Sequence, residues 1–395
     1  MFNVRDEVKK AEQEIIRWRR RLHQIPEIGL NLPQTVKFIT EELDKIGIEY
    51  HTLVNGNAVV GIIKGIEGGK TIALRADMDG LPIREETGLE FKSTNGCMHA
   101  CGHDGHAAVL LGVAKVLYEN RDSFKGNVKL LFQPGEEYPG GAKLMIEQGA
   151  LDNPKVDAVI GMHMGSLNKE APAGTISVCY GTMMAAVDRI LVKIIGKGAH
   201  GAYPHQSIDP IVIASEIVLA LQAIVSREIM PVEPAVVSIT RVQGGFNQNI
   251  IPDVVELEGT VRTLNEDTRQ RICKRIEEII KGITMAHGAT YELDYEFCYP
   301  AVVNSESFTK DFVKSAKKIV NEKDIIEMKV PVMGAEDMSY FLQKVPGTFF
   351  YLNNPREIEG QFYPHHNPKF DIDEKELWKG AAIVIQAVVD WLNQN

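Results

Sequence analysis

Apolar residues near the amino terminus recur at helical spacing: Val8, Ala11, Ile15, Trp18 and Leu22 fall on one stripe, with Lys9, Lys10, Glu12, Arg19 and Arg20 off it. Pro26 ends this helix, and the basic run Arg19-Arg20-Arg21 reads as its solvated face. A second helix follows Pro33, aligning Val36, Ile39, Leu43 and Ile46. Apolar runs then predict strands at residues 58–63 and 71–75 with a Gly68-Gly69 turn between them. A helix is expected over 107–117, a strand over 128–132, a helix around Leu144, Met145 and Ile146, and a strand over 158–161. The pattern changes after about residue 187. There it runs strand (190–195), helix (210–225), two strands (235–242 and 254–262), helix (267–286) and strand (290–295). That βαββαβ order is ferredoxin-like and self-contained. Helices resume at 306–320, 337–342 and 374–392, with a strand near 349–352. The expected architecture is therefore α/β. Residues 1–186 and 299–395 form one discontinuous domain with a mixed sheet flanked by helices, and 187–298 form an inserted α+β satellite domain.

Composition narrows the class. A chain of 395 residues exceeds the usual size of a single core. The formal net charge of -10 argues against a nucleic-acid partner, which would call for a basic stripe. No run reaches the 18 apolar residues of a membrane span, and the first residues lack the apolar centre of a signal peptide. Five cysteines, an odd and scattered number, do not make a disulfide framework, so a cytoplasmic protein with reduced thiols is expected.

The chemistry concentrates in residues 96–106, which hold Cys97, His99, Cys101, His103, Asp104 and His106. Thiolate and imidazole are ligands for borderline-soft metals. Cys101 and His103 are expected just before a helix amino end, where partial positive charge favours thiolate. Three successive strands lead into Asp77 and Asp79, into Glu136 and Glu137, and into His163, so acids and imidazole gather at one edge of a sheet. The candidate metal ligands are Cys101, His103, Glu137, His163 and His366, with His99, His106, Asp77 and His365 in reserve. The spacing does not match a closed structural zinc site. Five ligands suit two ions about 3.5–4 Å apart with a shared ligand. Of the adjacent pair Glu136-Glu137, one can bind metal while the other acts as general base. In the satellite domain, His200 lies in a glycine-rich stretch and suits oxyanion stabilisation. Asn249 follows a second glycine-rich loop, and Arg262 offers a bidentate clamp for a carboxylate. Taken alone, Asn249 and Arg262 fit structural roles better than functional ones.

Four segments carry a family resemblance: Ala73-Leu74-Arg75-Ala76-Asp77-Met78-Asp79-Gly80-Leu81-Pro82, His99-Ala100-Cys101-Gly102-His103-Asp104, Gln133-Pro134-Gly135-Glu136-Glu137 and Gly334-Ala335-Glu336-Asp337. They resemble the M20 metallopeptidase family, and within it the aminoacylase, hippurate hydrolase and auxin-conjugate hydrolase branch. The resemblance covers nearly the whole chain. It implies a metal-dependent exopeptidase-like catalytic domain holding two divalent ions (zinc, manganese, cobalt or nickel), with a ferredoxin-like satellite that often mediates dimers. It implies that Cys101 bridges the ions, that His103 and His163 complete one site, and that Glu137 and His366 complete the other. Glu136 would be the general base and acid, and His200 would help polarise the scissile carbonyl. Asn249, Arg262 and Gly334 are expected to contact substrate. The wider family has His-x-Asp where this chain has Asp77-Met78-Asp79, and a bridging aspartate where it has Cys101. Both departures are usual in the aminoacylase branch. They leave Asp77 without an assigned role and place Asp79 behind a ligand. The implied reaction is hydrolysis of N-acyl amino acids, with a small-molecule substrate and no nucleic-acid or membrane partner. The alternatives are an exopeptidase acting on peptides with the same site, and a non-catalytic metal-binding protein.

Overall fold

The structure, a computed structural model, describes residues 2–168 and 171–395. It divides into two compact units, one of residues 1–181, 303–330 and 337–395 and the other of 182–302 with 331–336. The stretch 187–298 lies wholly within the second.

The first unit opens with α1 (Val4–His23), whose cap Asn3 accepts the Asp6 N–H and which buries Val8, Ile15, Trp18 and Leu22. Next come α2 (Pro33–Ile46), β1 (Glu49–Leu53), β2 (Ala58–Lys64), β3 (Ile66–Asp77), α3 (His103–Glu119), β4 (Lys125–Gln133) and β5 (Ala158–Gly165). An eight-stranded mixed sheet has the order β1-β2-β4-β3-β5, followed by Gly347–Asn353, Thr175–Val178 and Ile325–Glu327. Strands β4, β3, β5 and Gly347–Asn353 run parallel. Their carboxyl ends therefore share one edge, which is where open α/β sheets place their sites. Both β5 and Gly347–Asn353 are buried along their whole length, as parallel strands covered on both faces must be. The helices α1, α3 and Leu377–Gln394 pack on one another and share a core with β3.

Four local expectations are corrected. Gly68-Gly69 is not a turn. Both glycines lie inside β3 with φ near +89° and +85°, at a register shift between Ile66 and Thr71. This is a bulge that only residues tolerant of left-handed backbone accommodate. Helix α3 starts at His103, capped by left-handed Gly102, and His163 lies within β5 rather than beyond it. Arg19 is not on a solvated face: it is 1% exposed and meets Asp104 at 2.7 Å, Asp371 at 2.5 Å and Glu374 at 3.2 Å. An arginine flanking a narrow apolar stripe goes inward when distant segments supply enough carboxylates to neutralise it. His23, one turn on, is clasped by Asp104 at 2.8 Å and Glu85 at 3.1 Å. Burial and the nearby Arg19 oppose a charge on His23, yet these two carboxylates push its pKa up to about 9.

In the second unit, strands Ala235–Gly244, Val254–Thr263, Ala186–Ile195 and Thr290–Phe297 form an antiparallel sheet in that spatial order. With helices Pro210–Ala223 and Glu266–Ala286 this is the βαββαβ arrangement. Alternate residues of Ala186–Ile195 turn inward, so Ile190, Val192 and Ile194 meet Ile217, Leu221 and Ile276 from the helices. Among the described residues one stretch, Pro210–Glu228, has the length and hydropathy of a membrane span. One face of it is part of this core.

Candidate active site

The shared edge of the parallel strands holds a buried polar floor. Asp77 ends β3 and takes Arg75 Nη1 at 2.7 Å on one oxygen and His106 Nδ1 at 2.5 Å on the other. Arg75 reaches on to Gln133 Oε1 at 2.8 Å and Asp337 Oδ1 at 2.7 Å. Asp337 also accepts from Gln133 Nε2 at 2.8 Å and the Ala142 N–H at 3.0 Å. Burial alone would raise the Asp77 pKa, but Arg75 and the imidazoles of His103 and His106 hold it well below the usual carboxylate range. His106 Nε2 accepts the Met164 N–H at 2.9 Å, so the ring carries its proton on Nδ1, toward Asp77. With both nitrogens engaged, His106 has no lone pair to offer a cation. Asp77 thus supports the floor, a role the sequence left open.

Asp79 organises the next layer. Its carboxylate accepts the Glu136 and Glu137 backbone N–H groups, each at 3.1 Å. Its carbonyl accepts His103 Nδ1 at 2.9 Å and His99 Nδ1 at 3.1 Å. One residue therefore sets the backbone of the acidic pair and the tautomer of His103, leaving His103 Nε2 as the outward lone pair. His163 is fixed in the same way: Nδ1 donates to the Met164 carbonyl at 2.8 Å and Nε2 stands 3.5 Å from Cys101 Sγ. Burial and the nearby rings of His106 and His365 keep His163 well below its ordinary pKa, in the neutral form that binds metal. His366 has φ +64°, a left-handed backbone rare for a side chain of this size. Its N–H donates to the Ala100 carbonyl at 2.9 Å, and its Nε2 stands 3.0 Å from Glu137 Oε1.

Cys101, Glu137 and His366 present donor atoms within 4.8 Å of one another. So do Cys101, His163 and His365, and so do His103, Glu136 and Glu137. The first set matches an expected site. The second differs, because His365 takes the place expected of His103, whose ring centroid is 6.0 Å from that of His163. His365 is itself engaged through Nε2 with the Met164 carbonyl at 2.9 Å. These residues fit a pair of cations. His103 Nε2 is buried without a hydrogen-bond partner. The Cys101 thiol is held well above its usual pKa by burial and by Glu137, Glu136 and Asp77, an excess of negative charge that a cation would neutralise. His103 answers the same excess of negative charge: burial opposes its charge, yet Asp77, Asp79 and Glu137 push its pKa up to about 10, so a cation at Nε2 would take the place of a proton there. Glu136 is buried beside these donors, its carboxylate 3.9 Å from His103 Nε2.

The remaining expected residues belong to the second unit. His200 is exposed and pairs with Ile250 on the short strand that follows Asn249, and Gly201 N–H donates to the Asn249 carbonyl at 2.7 Å. His200 Nδ1 accepts the Ala202 N–H at 3.0 Å, so Nε2 carries the proton and is a ready donor. Arg262 is partly buried and donates to Thr260 Oγ1 at 2.6 Å, and the Gly334 carbonyl accepts from Ala185 N–H at 3.0 Å. The sequence offered no role for Arg75, Gln133 and Asp337. The only signal was their place in the same motif strings as the ligands.

The description "Peptidase family M20/M25/M40" matches residues 73–390. An N-acyl-L-amino acid amidohydrolase of Geobacillus stearothermophilus is 46% identical, over 75% of this chain and 80% of its own. A protein named thermostable carboxypeptidase 1, from Saccharolobus solfataricus, is 43% identical over 99% of this chain and 98% of its own. The crystal structure of the Bacillus subtilis YXEP protein, described as a dinuclear metal-binding peptidase from the M20 family, superposes with a TM-score of 0.81. It is 35% identical and covers 97% of this chain and 99% of that one.

Proposed function

The chain belongs to peptidase family M20/M25/M40, and from that premise we propose that it is a metal-dependent amidohydrolase cleaving N-acyl amino acids to a carboxylate and a free amino acid. The observation that carries this reading is the convergence of Cys101, His163, Glu137 and His366 donor atoms beside buried Glu136. The amidohydrolase name of the 46% identical relative supports the substrate class.

In this reading Cys101, His103, His163, Glu137 and His366 would hold two divalent ions. When bound, the ions supply Lewis acidity at the amide carbonyl and make water more acidic. Glu136 takes a proton from the attacking water as its oxygen bonds to the carbonyl carbon, then delivers that proton to the nitrogen as the C–N bond breaks. Asp79 holds Glu136 by its backbone and His103 by its ring, so base and ligand share one anchor. His200, protonated on Nε2, donates to the developing oxyanion, while Asn249, Arg262 and Gly334 contact the substrate. Substituting His200 by Ala is expected to lower kcat by about 10²–10³-fold with metal content intact. An unchanged kcat removes it from the mechanism.

The carboxypeptidase name of the second relative brings peptides into the test. Acetyl- and benzoyl-amino acids and a dipeptide panel are assayed with the metal-loaded enzyme. Turnover confined to peptides overturns the acylase reading in favour of an exopeptidase.

The second unit is proposed to seat a second copy of the chain. Val212 is 56% and Leu219 74% exposed on helix Pro210–Ala223, and strand Ala235–Gly244 is an edge of its sheet. Sedimentation at micromolar concentration should find a dimer, and a monomer throughout would dismiss this assignment. No disulfide joins the five cysteines among the described residues, which suits the proposed cytoplasmic location.

A further inference from the structure

We propose that Arg19 is a positioning residue for the metal-binding donors, a role that rests on the metal-dependent reading above. Arg19 lies in α1, outside the segment 73–390 that carries the family match. Its guanidinium gathers carboxylates from two separate parts of the chain. Asp104 directly follows His103 in the first turn of α3. Asp371 lies five residues after His366, and Glu374 three further on.

The turn between His366 and Asp371 is hydrogen-bonded within itself. The Phe370 N–H donates to the Asn367 carbonyl at 2.9 Å, and Lys369 N–H to Asn367 Oδ1 at 2.9 Å. His366 N–H is bonded to Ala100, next to Cys101. Movement of Asp371 is therefore transmitted to His366, and movement of Asp104 to His103. A second link runs in parallel. His23 joins Asp104 to Glu85, and the neighbouring Glu86 N–H donates to the Pro368 carbonyl at 2.8 Å, inside the same turn.

Removing the Arg19 guanidinium leaves Asp104 to His23 and Asp371 to Arg356, 2.9 Å away, and deletes the cation that touches both carboxylates, whose buried charges then repel where dielectric screening is weak. The two segments would part, and His366 would drift from Cys101 and Glu137. A lysine keeps the charge, but it lacks the planar fork that reaches several carboxylates in fixed directions.

The experiment uses the full-length chain freed of metal by chelation and titrated with cobalt. Binding is followed by the thiolate-to-cobalt charge-transfer absorption and by bound cobalt after gel filtration, with circular dichroism recorded on the metal-free protein. Arg19→Lys and Arg19→Met are expected to weaken the second cobalt by about 10–100-fold, as loss of a residue behind a ligand does, with the Met variant worse and the metal-free dichroism unchanged. Arg269→Lys is the control: Arg269 is also a buried guanidinium, 2.5 Å from Asp188 in the other unit, and should leave the cobalt isotherm alone. A wild-type isotherm in folded Arg19→Met overturns the proposal, as does an equal shift in Arg269→Lys. If the Met variant does not fold, the Lys variant decides, and its unfolding would make Arg19 a stability element and end the proposal. A wild-type chain that takes up no cobalt would instead defeat the metal reading on which the proposal rests.

Discussion

Glu136→Gln is expected to retain two metal ions per chain while kcat falls by about 10²–10⁴-fold, the usual worth of a positioned proton acceptor. The substitution keeps the shape of the side chain and its backbone N–H bond to Asp79, and removes only the ability to accept a proton. KM should change little, because the carboxylate acts in bond making rather than in holding the substrate. Glu136 has a rival role, since its oxygen groups with His103 and Glu137 at metal-binding distances. The two roles separate on metal content. A variant that has lost an ion makes Glu136 a ligand, and one with both ions and full activity removes it from the reaction altogether.

The second large effect is an asymmetry between Cys101 and His366. Cys101 belongs to the set with Glu137 and His366 and to the set with His163 and His365, so Cys101→Ala should disturb both ions. His366 belongs to one set, is the most exposed member, and reaches it through a left-handed backbone. His366→Ala should therefore keep about one ion per chain. Each ion supplies several kcal/mol of charge stabilisation in the transition state, so either variant should lose about 10³-fold or more in activity. Elemental analysis after gel filtration distinguishes them. Equal metal loss in the two variants would show that Cys101 is not shared.

How much of this was legible beforehand depends on range. The stripe Val8, Ala11, Ile15, Trp18 and Leu22 announced α1, because burial of one face leaves a 3.6-residue period that no distant residue needs to complete. The βαββαβ order was legible for the same reason, since each of its elements carries its own period. The Gly68-Gly69 bulge was not, because glycine pairs serve turns and bulges alike and only the neighbouring strand β4 distinguishes them. The burial of Arg19 is not legible in the chain because its three carboxylates lie 85 or more residues away. His366 is an expected ligand and His365 a reserve. They differ because one ring is engaged by the Met164 carbonyl while the other faces Glu137.

By itself the sequence determined the long helices and strands, the βαββαβ order of the inserted stretch and the kinds of donor at the strand ends, all set by local backbone preference and by side-chain chemistry. Tertiary structure decided which donors remain available. An imidazole is a ligand only through the nitrogen its partner leaves unprotonated. For His103, His163 and His106 those partners are Asp79, the Met164 carbonyl, and Asp77 together with the Met164 N–H. Two of those rings keep a lone pair for a cation and the third has none. That difference exists only once β3, β5 and α3 have been brought together.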